Sequence, residues 1–398
     1  MAATVHGEVH PAFERIARVL ERQVRLHGGG MAICVYHRGR PVVDAWAGTR
    51  DDAGTPWERD TAAMSFSTTK GVTATLLHVL VDRGLLDYDD PVSKYWPEFG
   101  QARKAAITVR QLLCHEAGLH HIRRMVDHGD RMLDWEHMVE ALAAAEPSYV
   151  PGSQSAYHGL TFGWLIGELA QRVTDRPFAE LIRTELALPL GLEGFWIGAP
   201  AAARERAARL KVPPLGLDDH YGTARPYAKG IQKICRNLRI PFDPAYLADA
   251  LLPRGVMRTF WHPEVLTPSI PSANGLFTAR DLARLYAALG AGGTLDGVPL
   301  VGPTTIARAT QVQSRRLDRV VPVAMHWRLG YHRAFTGRGT PRQAFGHFGF
   351  GGSGAWTDPR RQLAVAMVNN RVAGSPFGDL RMLAIGAAAI TGAARLAR

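Results

Sequence analysis

The chain has little cysteine and no long apolar run. Its three cysteines, Cys34, Cys114 and Cys235, are widely spaced and odd in number, which argues against a disulfide framework or a cysteine-based zinc site. No stretch approaches the ~20 apolar residues of a membrane span, and the first residues hold no apolar run of signal-peptide length. These absences predict a soluble, cytoplasmic protein with reduced thiols and no classical export signal.

The chain also has no basic block, although its formal net charge at pH 7 is +11. The arginines are scattered among acidic residues, without interleaved aromatics, so a solvated basic surface is favoured over a nucleic-acid site. Such a surface leaves open peripheral contact with an anionic membrane or the cell envelope.

Lysine is scarce, and one of the six lysines stands in a motif that can carry chemistry. Ser67 and Lys70 form S-x-x-K where apolar periodicity predicts the start of a helix, so the two side chains share one face. A serine hydroxyl needs a base within hydrogen-bond reach, and a desolvated lysine can be that base, whereas arginine cannot. Alone, the motif is more typical of a capped helix with a solvated lysine than of a catalytic pair, so a catalytic interpretation requires partners.

Tyr157 is a candidate partner for this serine and lysine. It is predicted in a loop directly before an apolar helix, from where its phenol can act as a base and later as an acid toward the leaving group. The structural alternative is a packing residue whose hydroxyl is satisfied elsewhere.

The glycine-rich stretch 346–354 is the third candidate segment. Glycine permits close backbone approach, so the N–H of Phe350 can form an oxyanion hole with the N–H of Ser67. Gly349 and Gly351, on either side of Phe350, are assigned to the same pocket.

The order of predicted elements indicates an α+β fold. Helices are predicted at 11–26, 67–83, 108–117, 134–145, 160–173, 278–289 and 377–395, and strands at 31–36, 41–47, 326–331, 343–347, 354–357 and 363–370. This order predicts one antiparallel sheet built from both chain ends (1–65 and 276–398), flanked by helices, with a mainly helical part (66–275) inserted. The stretch 199–270 is predicted as irregular chain that forms a lid or pocket wall, with Trp261 in an acyl pocket.

Taken in order, Ser67-x-x-Lys70, Tyr157 and His347-x-Gly349 resemble the motifs of the serine β-lactamase and penicillin-binding-protein superfamily, and most of all its family VIII carboxylesterases. Supporting stretches are Leu112–Leu119 (LLCHEAGL), Pro151–Gly152, Gly351–Gly352 and Asp358–Pro359. The resemblance is weakest at 199–270. It implies a β-lactamase-like fold and an acyl-serine mechanism, with Ser67 as nucleophile and Lys70 and Tyr157 as acid and base, and it implies no cofactor.

The chain departs from the β-lactamase pattern at two positions. Where β-lactamases carry Tyr-x-Asn it has Tyr157-His158-Gly159, and where they carry Lys-Thr-Gly it has His347-Phe348-Gly349. The missing asparagine and lysine remove groups associated with recognising a β-lactam, so a small ester with an uncharged, short to medium acyl group is the expected substrate. His347 either binds substrate or braces its strand. A β-lactamase, D-amino-acid peptidase or acyltransferase with the same serine, or a catalytically silent binding protein, stay as alternatives.

Several patterns resemble other sites but lack their context. His115-Glu116 with His120-His121 is one residue too long for the H-E-x-x-H zinc site, so no metal is expected. The G-x-G-x-x-G of 349–354 leads into a predicted strand, which does not fit a dinucleotide site. Ser272-Ala-Asn274 precedes a helix and is interpreted as backbone shaping. Ser353 falls short of G-x-S-x-G and is the rival nucleophile.

Overall fold

The computed structural model of the protein describes residues 3–211, 225–237, 239, 243–339, 341–372 and 380–397. Its strands are β1 (Val5–Val9), β2 (Gly30–His37), β3 (Arg40–Gly48), β4 (Ala63–Met64), β5 (Phe195–Trp196), β6 (Leu276–Phe277), β7 (Thr294–Leu295), β8 (Val298–Pro299), β9 (His332–Arg333), β10 (Phe345–Phe348), β11 (Gly354–Asp358) and β12 (Leu363–Asn369). Its α-helices are α1 (Glu14–His27), α2 (Thr68–Asp82), α3 (Val109–Leu113), α4 (Trp135–Ala144), α5 (Thr161–Thr174), α6 (Phe178–Leu181), α7 (Leu188–Leu190), α8 (Ala201–Glu205), α9 (Arg225–Asn237), α10 (Pro244–Leu251), α11 (Val256–Trp261), α12 (Ala279–Gly290), α13 (Pro303–Thr310) and α14 (Leu380–Leu396).

The main sheet has seven strands in the order β1-β3-β2-β12-β11-β10-β9, and every pair of neighbours is antiparallel. β2 and β12 come from opposite ends of the chain and pair at the centre, with Val35 opposite Val365. The predicted α+β fold, with one antiparallel sheet from both chain ends, is therefore confirmed.

Helices cover both faces of this sheet. Ile33 of β2 packs in a cluster with Ile16 of α1 and Ile385 of α14, whereas Cys34 belongs to the larger core that contains Leu282 of α12. Every residue of β2 and β12 is buried, which is why these strands are apolar without the alternation of a half-exposed strand.

The helix α2 crosses the interior between the sheet and the helical part. Its residues from Thr68 to Val81 are all buried, so the helix is enclosed on all sides and does not have the exposed polar face of a surface helix. Arg83 caps its end, as the sequence predicts. Ser67 and Lys70 are thus held on one of the most enclosed elements of the fold.

The expectation of irregular chain at 199–270 is wrong for the described residues of that stretch. It contains α8 to α11 and a 3₁₀ turn at Pro263–Leu266. α8, α10 and α11 have only five to eight residues, and Pro253 and Gly255, whose φ is +70°, separate α10 from α11. α9 has 13 residues but few apolar ones, and its sequence contains Pro226 and Gly230, so its periodicity is weak. Residues 212–224, 238 and 240–242 lie outside the described residues.

A strand at 326–331 is also not formed. The backbone turns at His326 (φ +49°) and Gly330 (φ +77°), and the buried Arg328 side chain donates to the carbonyls of Thr310 and Arg342. The sheet instead ends at β9, and β1 adds an unpredicted strand at the other edge. The closing helix is confirmed from Leu380 onward, whereas 377–379 lie outside the described residues.

The division at 65/66 and 275/276 stays a prediction. All three cysteines are unpaired and buried. Among the described residues no helix has the length and apolar character to cross a membrane.

Candidate active site

Ser67 and Lys70 lie at the N-terminal end of α2, one turn apart. The Lys70 Nζ lies 3.1 Å from the Ser67 Oγ and donates to the carbonyl of Ser272 at 2.9 Å. Lys70 is fully buried, and this burial holds the pKa of its ammonium well below the usual value. Lys70 is therefore suited to be a neutral amine, which is the form that can accept the serine proton.

The residue before the serine has a strained backbone. Phe66 has φ +44°, a left-handed conformation that costs a non-glycine residue on the order of 1 kcal/mol or more. Its ring packs against Phe350 (5.5 Å between centroids), Phe260 (5.9 Å) and Trp261 (6.0 Å), and these contacts hold the turn in place. The chain thereby enters α2 with Ser67 lining a cavity.

Tyr157 is brought to the same place, as the sequence predicts, from the loop before α5. Its hydroxyl hydrogen-bonds the Ser67 side chain, and the Lys70 Nζ lies 5.1 Å from the centre of its ring. The ring stacks on Trp327 at 5.7 Å with an interplanar angle of 8°. Burial raises the pKa of the phenol above its ordinary value, so the group keeps its proton at neutral pH.

The buried side chain of Asp318, which the sequence does not predict as part of the site, accepts hydrogen bonds from both Tyr157 and Trp327. Asp318 Oδ1 accepts from the Tyr157 backbone N–H at 3.0 Å, and Oδ2 accepts from the Trp327 indole at 3.2 Å. The N–H groups of Val320 and Val321 also donate to Oδ1. Nothing in the sequence marks this aspartate, because its partners are backbone groups and residues distant along the chain.

The loop between α11 and β6 supplies the carbonyl that holds Lys70. The Ser272 Oγ accepts from the Gly163 N–H at 2.6 Å, and the Asn274 side chain bonds to the backbone of Ile270 and Val265. These contacts agree with the interpretation of Ser272-Ala-Asn274 as backbone shaping. The contact of the Ser272 carbonyl with Lys70 has no sequence signal, since every residue carries a carbonyl.

The glycine-rich stretch approaches Ser67 along its backbone. A Cβ at Gly349 would lie 2.3 Å from the Ser65 carbonyl oxygen, so only glycine fits there. Gly349 and Phe350 line the same cavity as Ser67. Gly351, with φ +77°, lies away from the cavity lining, and its carbonyl accepts from Arg381. The oxyanion role of the Ser67 and Phe350 N–H groups stays a prediction.

His347 lines the cavity as a neutral ring. Its Nδ1 bonds to the Phe348 carbonyl at 3.2 Å, which fixes the proton on Nδ1 and leaves Nε2 as an acceptor. Nε2 is buried without a hydrogen-bond partner in the described part of the chain. Burial, together with the neighbouring His332 and Lys70, holds the pKa of His347 well below its usual value. The structure therefore places an uncharged acceptor where the β-lactamase pattern has a lysine.

The cavity beside Ser67 has a volume of about 590 Å³ and an apolar lining. Besides Tyr157 and the rings of His332 and His347, its aromatic lining includes Phe66, Phe260, Trp261, Phe335, Phe348 and Phe350. Aliphatic side chains of α10 and α11 complete one wall, so the described part of 199–270 does contribute to the pocket, including Trp261. The described residues that line the cavity include no aspartate, glutamate, lysine or arginine.

The rival sites are accounted for by internal contacts. Ser353 is buried, donates to the Ser65 carbonyl at 2.6 Å and accepts from Thr68 at 3.3 Å, so its hydroxyl braces the backbone next to the site. The described residues contain no group of three or more histidine, cysteine, aspartate or glutamate side chains suited to a metal ion. His158 bonds to the Leu119 N–H and the Ala156 carbonyl and is structural.

Comparison with known proteins gives consistent matches over nearly the whole chain. Residues 16–389 match the family model described as Beta-lactamase. Esterase/beta-lactamase LipL from Mycobacterium tuberculosis is 40% identical over 373 residues, which cover 92% of this chain and 83% of LipL. A penicillin-binding protein homologue from Caulobacter crescentus has 34% identity and a TM-score of 0.85, over 98% of this chain and 100% of the homologue. A family VIII carboxylesterase has 30% identity and a TM-score of 0.82 over the same shares. The chain therefore belongs to the beta-lactamase family of serine hydrolases.

Proposed function

We propose that the protein hydrolyses carboxylic esters with uncharged, short to medium acyl groups through an acyl-serine intermediate. The observation that carries this proposal is the convergence of the Ser67 hydroxyl, the Lys70 amine and the Tyr157 phenol at an apolar cavity without a charged side chain in its described lining. The names of LipL and of the family VIII carboxylesterase agree with an esterase.

The opposite pKa shifts of Lys70 and Tyr157 support a division of roles. Lys70, whose pKa is lowered, takes the proton as the Ser67 Oγ bonds to the ester carbonyl carbon. Tyr157, whose pKa is raised, gives its proton to the alkoxide as the bond from carbon to the alcohol oxygen breaks, and it is reprotonated from Lys70. Lys70 then takes a proton from the water that bonds to the acyl carbonyl carbon. As the bond from that carbon to Ser67 Oγ breaks, Tyr157 gives its proton to Oγ and is reprotonated from Lys70, which releases the acid and restores the Ser67 hydroxyl. The N–H groups of Ser67 and Phe350 are proposed to stabilise the tetrahedral oxyanion.

β-Lactam hydrolysis is the second candidate, because LipL is named for both activities. Gly159 and His347 replace the asparagine and lysine of the β-lactamase pattern, and His347 is neutral, so a β-lactam carboxylate meets no cation from either residue. This observation favours the ester. Peripheral contact of the basic surface with an anionic membrane stays a further prediction.

The test uses p-nitrophenyl butyrate and nitrocefin with the wild-type protein and two serine variants. We expect butyrate cleavage that Ser67→Ala abolishes and Ser353→Ala retains, with a fluorophosphonate adduct mapped by mass to Ser67. Nitrocefin turnover as efficient as butyrate turnover would favour the lactamase. Absence of both turnover and adduct would show a catalytically silent protein.

A further inference from the structure

The cavity beside Ser67 is larger than a short acyl group requires. Its volume of about 590 Å³ is within the ~300–1,000 Å³ of pockets that enclose drug-sized ligands. A methylene group occupies roughly the space of a water molecule, ~30 Å³, so an upper limit is on the order of 20 methylene-sized groups. An acetyl or butyryl group would leave most of this apolar space unfilled.

Gly159 explains why the wall of this cavity is aliphatic next to the catalytic groups. A Cβ at position 159 would lie 2.1 Å from Leu251 Cδ2, so Leu251 fills the space that any larger residue at 159 would need. The β-lactamase pattern has asparagine at this position. In this chain the Leu251 side chain therefore lies next to Gly159, in the place where the asparagine amide of the β-lactamase pattern would offer hydrogen bonds.

The wall that contains Leu251 is apolar and continues to the surface. Leu251 and Met257, from α10 and α11, and Val323 are only half buried and line the cavity. Leu380 also lines it and is 80% exposed, so apolar lining reaches solvent at the start of α14. An apolar chain too long for the inner cavity therefore meets an apolar exit.

We propose that this cavity binds an unbranched, uncharged acyl chain of about eight to twelve carbons, and that Leu251 packed on Gly159 is the specificity-determining part of its wall. This inference rests on the proposed function, since the chain is held as the acyl group on Ser67 until water releases it as a fatty acid. It goes further in naming the medium-chain fatty acyl ester as the substrate class and α10 as the element that selects it.

The first experiment measures kcat/KM for p-nitrophenyl acetate, butyrate, octanoate, decanoate and palmitate below their aggregation limits. Complete burial of a methylene is worth up to about fourfold in kcat/KM. With partial burial, we expect decanoate to exceed acetate by at least about 100-fold. Palmitate should show no further large gain over decanoate, because its additional methylenes would lie at the solvent-exposed exit beside Leu380. A series that peaks at acetate or butyrate would overturn the inference.

The second experiment fills the cavity with Leu251→Trp and, separately, Val323→Trp, two half-buried positions on different segments. Each is expected to lower the decanoate-to-acetate ratio of kcat/KM at least tenfold. The matched control is Leu188→Trp, at a 58% exposed position on α7, which should leave the ratio unchanged. Circular dichroism and fluorophosphonate titration establish folding and the active fraction of each variant.

The outcomes separate this inference from the proposed function. If the wild type cleaves esters but neither filling variant changes the chain-length series, the acyl-chain assignment is wrong and the proposed esterase activity is retained. Failure of the wild type to cleave any ester or to react with fluorophosphonate would overturn the proposed function and this inference with it.

Discussion

Gly163 on α5 offers a sharp test of whether the Ser272 carbonyl controls Lys70. A Cβ at Gly163 would lie 2.3 Å from the Ser272 nitrogen and 2.5 Å from the Pro271 carbonyl carbon, both backbone atoms. Carbon contacts are optimal at ~3.5 Å, so Gly163→Ala must move this loop by about 1 Å. The Ser272 carbonyl, now 2.9 Å from Lys70 Nζ, would then lie at about the limit of a hydrogen bond or beyond it.

The expected effect on catalysis is larger than the effect on stability. Misplacement of a catalytic group by about 1 Å costs on the order of 100-fold in rate, so kcat/KM for p-nitrophenyl butyrate should fall by about that factor. The cost of overpacking, ~1–3 kcal/mol, is partly offset by the ~1 kcal/mol that alanine gains over glycine within a helix. The melting temperature should therefore change by only a few degrees.

The control is Gly230→Ala on α9, where an added Cβ meets nothing within 4 Å. It gains the same helix propensity without pressing on any backbone, so its kcat/KM should equal that of the wild type. If Gly163→Ala is folded and its kcat/KM lies within threefold of the wild type, the Ser272 carbonyl does not position Lys70 and the reasoning fails.

Three further predictions follow from the contacts around the site. Burial lowers the pKa of Lys70, which must be neutral to accept a proton, so kcat/KM should rise with pH through a value well below 10.5. Burial raises the pKa of Tyr157, so kcat/KM should then stay level past pH 10. Lys70→Arg should lower kcat/KM by ~10²–10⁴-fold at every pH, because arginine stays protonated. In Asp318→Asn, the side-chain NH₂ group would face either the Tyr157 N–H or the Trp327 indole N–H, so one hydrogen bond is lost. Urea titration should show a loss of about 2 kcal/mol in unfolding free energy, and kcat should be lower. An unchanged midpoint would contradict this. Ser353→Ala should lose about 1 kcal/mol of stability, by the same titration, and retain esterase activity.

The parts of the fold that the sequence predicts are those with a local signal. The buried strands β2 and β12 are continuous apolar runs, and α2 carries apolar residues at helical spacing from Val72 to Val81, so their type and order could be predicted directly. The strand at 326–331 fails because positive φ at His326 and Gly330 overrides β-propensity. Of the helices in 199–270, α8, α10 and α11 are missed because they are too short for periodicity to be distinctive, and α9 because it has few apolar residues.

In the candidate site, too, the sequence predicts some residues and not others. The Ser67, Lys70 and Tyr157 side chains are predicted because their chemistry is specific and their order resembles a known pattern. Asp318 and the Ser272 carbonyl are not, because their roles depend on backbone positions that only the folded chain brings together. Groups that do chemistry are visible in a sequence, whereas groups that orient them are often ordinary residues in particular places.

A single physical cause prepares both proton-transfer groups of this site. Burial disfavours a charge of either sign, so it lowers the pKa of the Lys70 ammonium and raises that of the Tyr157 phenol. Burial thus favours the uncharged form of each group, one suited to accept a proton and the other suited to give one. Apolar surroundings that shift these pKa values also line the cavity, so the environment proposed to activate the serine is one that favours the uncharged acyl chain proposed as its occupant. The proposed acid–base chemistry and the proposed substrate preference therefore have a common origin in the burial of the groups around Ser67.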